Sequence, residues 1–130
     1  MLKTVQHTVE FKNVSPQELF DIFMDSKKHS QIIGAKVEMS RKEGGKFSAF
    51  NGFVTGENLR IVPGRLIVQS WRGNIWNKED LDSLLILFFE KTSQGAQIQL
   101  VHTGLPPQFD ERWKELYWEP LKKILSDKKL

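Results

Sequence analysis

The chain has 130 residues, a formal net charge of +3, no cysteine, and nine Phe and four Trp. That size suits one domain with a real core and no staples, and the lack of cysteine excludes disulfides, thiolate zinc sites and cysteine nucleophiles. No run approaches the roughly 18 apolar residues of a membrane span, and "MLKTVQHTVEF" alternates where a secretory signal would be continuously apolar, so a cytoplasmic protein without membrane insertion is expected.

Residues 4–11, "TVQHTVEF", put Val5, His7, Val9 and Phe11 on one face and polar residues on the other, the pattern of a half-buried strand. "SPQELFDIFM" follows. Ser15 caps a helix, Pro16 suits its first turn, Glu18 completes a capping box, and Leu19, Phe20, Phe23 and Met24 form an apolar stripe. A second short helix is predicted from Ser26 to a stop at Gly34.

From Ala35 to Thr103 the pattern becomes six strands: "AKVEM", "GKFSAFNG", "FVTGENLRIV", "GRLIVQSWR", "SLLILFFE" and "AQIQLVHT". Turn chemistry separates them at Gly44-Gly45, Asn51-Gly52, Pro63-Gly64, Gly73-Asn74 and Gln94-Gly95, with Asn51-Gly52 suited to a tight hairpin because both residues tolerate positive φ. The last segment, "PPQFDERWKELYWEPLKKIL", spaces Phe109, Trp113, Leu116, Tyr117, Leu121 and Ile124 at three- and four-residue intervals, predicting one long amphipathic helix bent at Pro120. Trp118 falls off that stripe. Lys122, Lys123, Lys128 and Lys129 complement a helix C-terminus, and no nucleic-acid signature accompanies them.

The expected fold class is therefore α+β: a curved antiparallel sheet of seven strands, two short helices, and a long C-terminal helix across the concave face. In combination, "GGKF", "NGFVTGENLRIVPGRLIVQSWR", "TGLP" and "W..LYWEPLKKIL" resemble the START-like domain of the activators of the ninety-kilodalton heat-shock chaperone's ATPase, including short bacterial homologues made of this domain alone. The resemblance covers nearly the whole chain. It implies a helix-grip fold with strand order 1-7-6-5-4-3-2, a single domain over residues 1–130, and a cavity of the kind that holds apolar molecules in the wider superfamily. It implies no enzyme and no cofactor. The family's eukaryotic activators carry a separate N-terminal domain that grips the chaperone, for which 130 residues leave no space.

With the Trp71 face turned inward, as the resemblance suggests, strand parity makes Phe47, Gln69, Trp71, Leu85, Leu87, Leu100 and His102 candidates for the cavity wall, joined by Trp113 and Tyr117 from the helix. Gln69 either orients a ligand or is satisfied by backbone or water. His7 and His102 share the concave side on strands that the topology makes neighbours, so their imidazoles should lie near each other where the helix begins. No third ligand aligns with them, so no metal is expected. Arg72, at a strand end, suits a structural ion pair. The carboxylate pairs Glu79-Asp80 and Asp110-Glu111 read as a hydrophilic loop and a helix's first turn, and no nucleophile elbow or triad context occurs. On the outer face Leu66, Val68, Leu84, Ile86 and Phe88 form an apolar row, a candidate interface for a second subunit or, next, another partner such as a chaperone. Three functions follow: a non-catalytic module for a small apolar ligand, an interaction protein with a filled interior, or an enzyme built on His7, His102 and Gln69.

Overall fold

The computed structural model of the chain describes residues 1–127; Lys128 and Lys129 lie outside the described residues. Seven strands form one antiparallel sheet: β1 (Lys3–Lys12), β2 (Glu38–Met39), β3 (Lys46–Ala49), β4 (Val54–Val62), β5 (Leu66–Gly73), β6 (Ser83–Lys91) and β7 (Gly95–Leu105), in the order β1-β7-β6-β5-β4-β3-β2. The long β1–β7 pairing brings the N-terminal strand onto the last one, Val5 opposite His102 and Phe11 opposite Ala96. Between β1 and β2 run α1 (Pro16–Met24) and α2 (Ser26–Ile33). The Ser15–Glu18 capping box starts α1, and Gly34, left-handed at φ 67°, ends α2.

The strands bury alternate residues, as a sheet packed on one face must. Ile67, Gln69 and Trp71 of β5 and Ser83, Leu85, Leu87 and Phe89 of β6 are buried, while Leu66, Val68, Leu84, Ile86 and Phe88 between them are half-exposed. α1 adds Leu19, Phe20 and Phe23 to this core, with Phe20 edge-on to Phe89 at 5.8 Å. Among the sequence-predicted strands, the first of the six shrinks to the two residues of β2.

The C-terminal helix departs most from its expected form. Pro106 to Arg112 is turn and irregular chain, so Phe109 is not helical and Asp110-Glu111 precede the helix. Helical structure begins at Trp113 and passes through a π-helical turn (Lys114–Trp118) into α3 (Glu119–Ser126). The Glu119 N–H bonds to the carbonyl of Lys114, five residues back. Pro120 stands just inside α3; it has no N–H to give, and the ladder changes register immediately before it.

This wider turn overturns the expectation for Trp118. In an α-helix five residues sweep about 500°, which would leave Trp118 about 140° round from Trp113. The π turn brings it back: Trp113, Tyr117 and Trp118 are all buried, and the indoles of Trp113 and Trp118 stack at 5.9 Å with 20° between planes. Trp118→Ala should therefore cost about 3–5 kcal/mol, as much as Trp113→Ala. Urea denaturation of both variants measures it; a Trp118 variant within 1 kcal/mol or so of wild type would contradict this packing.

Candidate functional site

Every histidine of the chain holds the C-terminal helix by a side-chain hydrogen bond, each from a different element. From β1, His7 accepts at Nδ1 from the Trp118 indole N–H at 2.8 Å, and its Nε2 lies 3.5 Å from Oε1 of Glu111. From β7, His102 accepts at Nδ1 from the Trp113 indole at 3.2 Å. From α2, His29 bonds Nε2 to the Tyr117 hydroxyl at 2.8 Å.

The partners set the tautomers. An indole only donates, so Nδ1 of His102 is bare and Nε2 carries the proton, which goes to Ser83 Oγ at 2.8 Å; Ser83 in turn donates to the carbonyl of Trp71 at 2.8 Å. His29 is the reverse case. Its Nδ1–H donates to the carbonyl of Phe23 at 2.8 Å, leaving Nε2 to accept from Tyr117. Burial lowers His29 to a pKa of about 4 against the opposing pull of the Phe23 carbonyl, lowers His102 to about 3, and raises the Tyr117 phenol above its usual range. His7 and His102 thus sit beneath the same pair of stacked indoles, each bonded to one of them.

Most sequence-predicted cavity residues lie in packed interior. Leu85, Leu87 and Leu100 are fully enclosed, Phe47 is buried beside Gly56, and His102 is bound as described. Gln69 donates to Asn58 Oδ1 at 2.8 Å, and Asn58 donates to the carbonyls of Ser40 and Lys42, so this polar pair ties β5 to the chain before β3; Gln69 Oε1 has no partner among the described residues. None of these six borders open space, whereas Trp71, Trp113 and Tyr117 line a cleft of about 600 Å³.

The cleft lies at one end of the grip, where the start of the helix meets three loops. The β3–β4 turn contributes Phe50 and Phe53, the β5–β6 loop Ile75 and Trp76, and the segment before the helix Phe109. Instead of a two-residue hairpin at Asn51-Gly52, the turn runs from Phe50 to Phe53 with three successive positive φ values, 54° at Phe50, 58° at Asn51 and 89° at Gly52. Phenylalanine in the left-handed region is strained, and what the strain achieves is placement: the Phe50 ring packs edge-on to Tyr117 at 6.1 Å. Trp76 folds back over Gly73, where a Cβ would fall 2.6 Å from its Nε1. Trp71, Trp76 and Phe109 form a mutually packed triangle with centroids 5.6–5.9 Å apart. The Lys3 ammonium bonds the Phe109 carbonyl, and Arg72 closes the β5–β6 loop through the carbonyls of Asn77 and Asp80 and a 3.3 Å ion pair with Asp82.

Sequence reasoning missed the loop aromatics and His29. A signal for His29 existed: it stands three residues before Ile32 on the stripe that α2 buries. The loop residues had none, since strand parity says nothing about turns. On the convex face the register sets Leu66 opposite Phe88, Val68 opposite Ile86 and Leu84 opposite Thr103, and Val101 opposite Ile86 extends the half-exposed apolar row.

A helix pinned over a seven-stranded antiparallel sheet, the helix-grip arrangement, accords with the comparisons with known proteins. Residues 13–126 match the family described as Activator of Hsp90 ATPase homolog 1-like protein. The chain belongs to this family. It is 30% identical over 128 residues, 95% of its length and 33% of the relative's, to the activator of 90 kDa heat shock protein ATPase homolog of Dictyostelium discoideum. The chain spans about a third of the length of the curated relatives it matches. Among solved structures, an HSP90 activator from Plasmodium falciparum superposes with a TM-score of 0.79 at 25% identity, covering 97% of this chain and 96% of that one. The Aha1 dimer from Colwellia psychrerythraea superposes at 0.81 with 14% identity, covering 98% and 99%, a likeness of fold.

Protonation of the buried imidazoles predicts acid sensitivity. The unfolded histidines take protons near pH 6.5, the folded ones only near pH 4 and pH 3, so between these values the unfolded chain binds more protons. Their contribution is complete above pH 6.5 and is lost as pH falls, by about 2 kcal/mol for each histidine at pH 5. Urea midpoints measured from pH 7.5 to pH 4.5 should fall accordingly, less steeply in His29→Gln; a flat profile in the wild type contradicts the assignment.

Proposed function

We propose that the protein is a non-catalytic START-like binding module whose cleft receives an apolar guest. One observation carries this reading: seven of the fourteen residues lining the 600 Å³ cleft are aromatic, drawn from the sheet, three loops and the helix. A volume of that order suits a small ligand, and an apolar wall with a few polar groups at the rim is the usual chemistry of such a site. The strain at Phe50 supports it, since backbone strain of this kind gathers at sites that hold ligands. The curated relatives are named as activators of another protein's ATPase, which favours a role in binding over one in catalysis. The neutral dye N-phenyl-1-naphthylamine should bind saturably with one-to-one stoichiometry. Phe53→Asp, in the half-buried turn, should weaken that binding at least tenfold with little change in melting temperature. Absence of saturable binding, or full retention in the variant, would count against the cleft.

A second reading, favoured by the convex apolar row, is a protein-interaction module. Leu84, Ile86 and Phe88 stand beside Leu66 and Val68 on adjacent strands, where area left wet forgoes roughly 25 cal/mol per Å² of burial. The occupant of that face is taken to be a second copy, with a ninety-kilodalton heat-shock chaperone the next in line. Ile86→Thr/Phe88→Thr should leave the fold intact and convert a sedimenting dimer to monomer. A wild type already monomeric at high micromolar concentration removes the homodimer, and stimulation of a chaperone's ATPase by wild type but not by the double variant would assign the face to the chaperone.

A further inference from the structure

The charges at the cleft rim are not neutral in effect, and they point to the class of guest. Three charged residues line the cleft: Asp110, Glu111 and Arg112. Arg112 is engaged, its Nε 3.2 Å from Oε2 of Glu115, and Glu111 faces His7 at 3.5 Å. Asp110 is exposed and makes no ion pair among the described residues. A carboxylate without an ion pair therefore stands at the mouth of a cleft half of whose lining residues are aromatic, with the Lys3 ammonium held at the neighbouring Phe109 carbonyl.

Ring faces carry the negative side of the aromatic quadrupole, so they attract a cation that approaches them and are indifferent or repulsive toward an anion. The Asp110 carboxylate adds to the same field, and a low-dielectric wall strengthens it. A fatty-acid carboxylate seated here would meet Asp110 and Glu111, and the one arginine within reach already holds a carboxylate. Resting on the reading of the cleft as a binding site, we infer that its guest is an amphiphilic amine: a flat or aliphatic apolar body against Trp71, Trp76 and Phe109, with a protonated or quaternary nitrogen at Asp110.

Calorimetric titration of the full chain at pH 7.5 with phenylbutylamine, phenylbutanol and phenylbutyrate, which share one apolar body, separates the charge from the cleft. The amine should bind about tenfold more tightly than the acid, with the alcohol between them, and the gap should narrow as salt rises. In Asp110→Asn, an exchange at an exposed position, the amine should lose several-fold in affinity while the alcohol stays unchanged. Indole N–H resonances of Trp76 and Trp113 in nitrogen-15 spectra should shift with the amine, locating it. Equal binding of all three probes, tighter binding of the acid, or an unchanged amine affinity in Asp110→Asn overturns the cationic guest and leaves the apolar cleft standing. Failure of all three probes together with the neutral dye overturns both.

Discussion

The fold rests on how one short helix is held against a curved sheet. Apolar burial alone would let a helix slide and rotate, because area has no direction. Three hydrogen bonds supply the direction, each joining one histidine to one aromatic of the helix: Trp113 to His102, Tyr117 to His29 and Trp118 to His7. Two of the histidines lie on the paired strands β1 and β7 and the third on α2, so the helix is located from two sides at once. The arrangement works only because the π turn lets adjacent residues 117 and 118 point inward together.

Pinning the helix this closely has a consequence for where empty space remains. The interior beneath it is occupied by the chain's own rings and by the Gln69–Asn58 pair, so the open volume is displaced to the mouth, among the loops. Those loops are individually braced. Phe50 is held through left-handed backbone, Trp76 against a glycine, and the β5–β6 loop by Arg72. A site assembled this way takes its walls from segments that can vary in sequence while the sheet does not, which fits the range of functions that this architecture supports.

Most of the sheet was legible in the sequence, and the reason is periodicity. Alternation in "PGRLIVQSWR" and "SLLILFFE" put Ile67, Trp71, Leu85 and Leu87 inside and Leu84, Ile86 and Phe88 outside, and burial follows that parity. The capping box at Ser15 and the stop at Gly34 were equally plain, because each is a local rule. The helix was misread for the same reason that it was found: a constant period of 3.6 cannot represent a change of register, so Trp118 was placed off the apolar stripe and Phe109 in the helix. Cavity residues were harder still. Inward parity marks a residue as facing the core, but whether the core is filled or hollow there depends on how side chains from distant segments meet, and Leu85, Leu87 and Leu100 meet others on every side.

The π turn also constrains how such a chain can change over time. It amounts to one residue more than an α-helix of the same rise would hold, inserted between the anchor at Trp113 and the apolar positions of α3. Closing the ladder to α-register with the same residues would rotate Leu121 and everything after it by roughly 100° relative to Trp113, whereas removing one residue with the closure would leave that relation nearly unchanged. In an ordinary surface helix such a rotation would be absorbed at the nearest loop. Here both flanks are tied down by buried side chains, so the wide turn and the residue count of the segment have to change together.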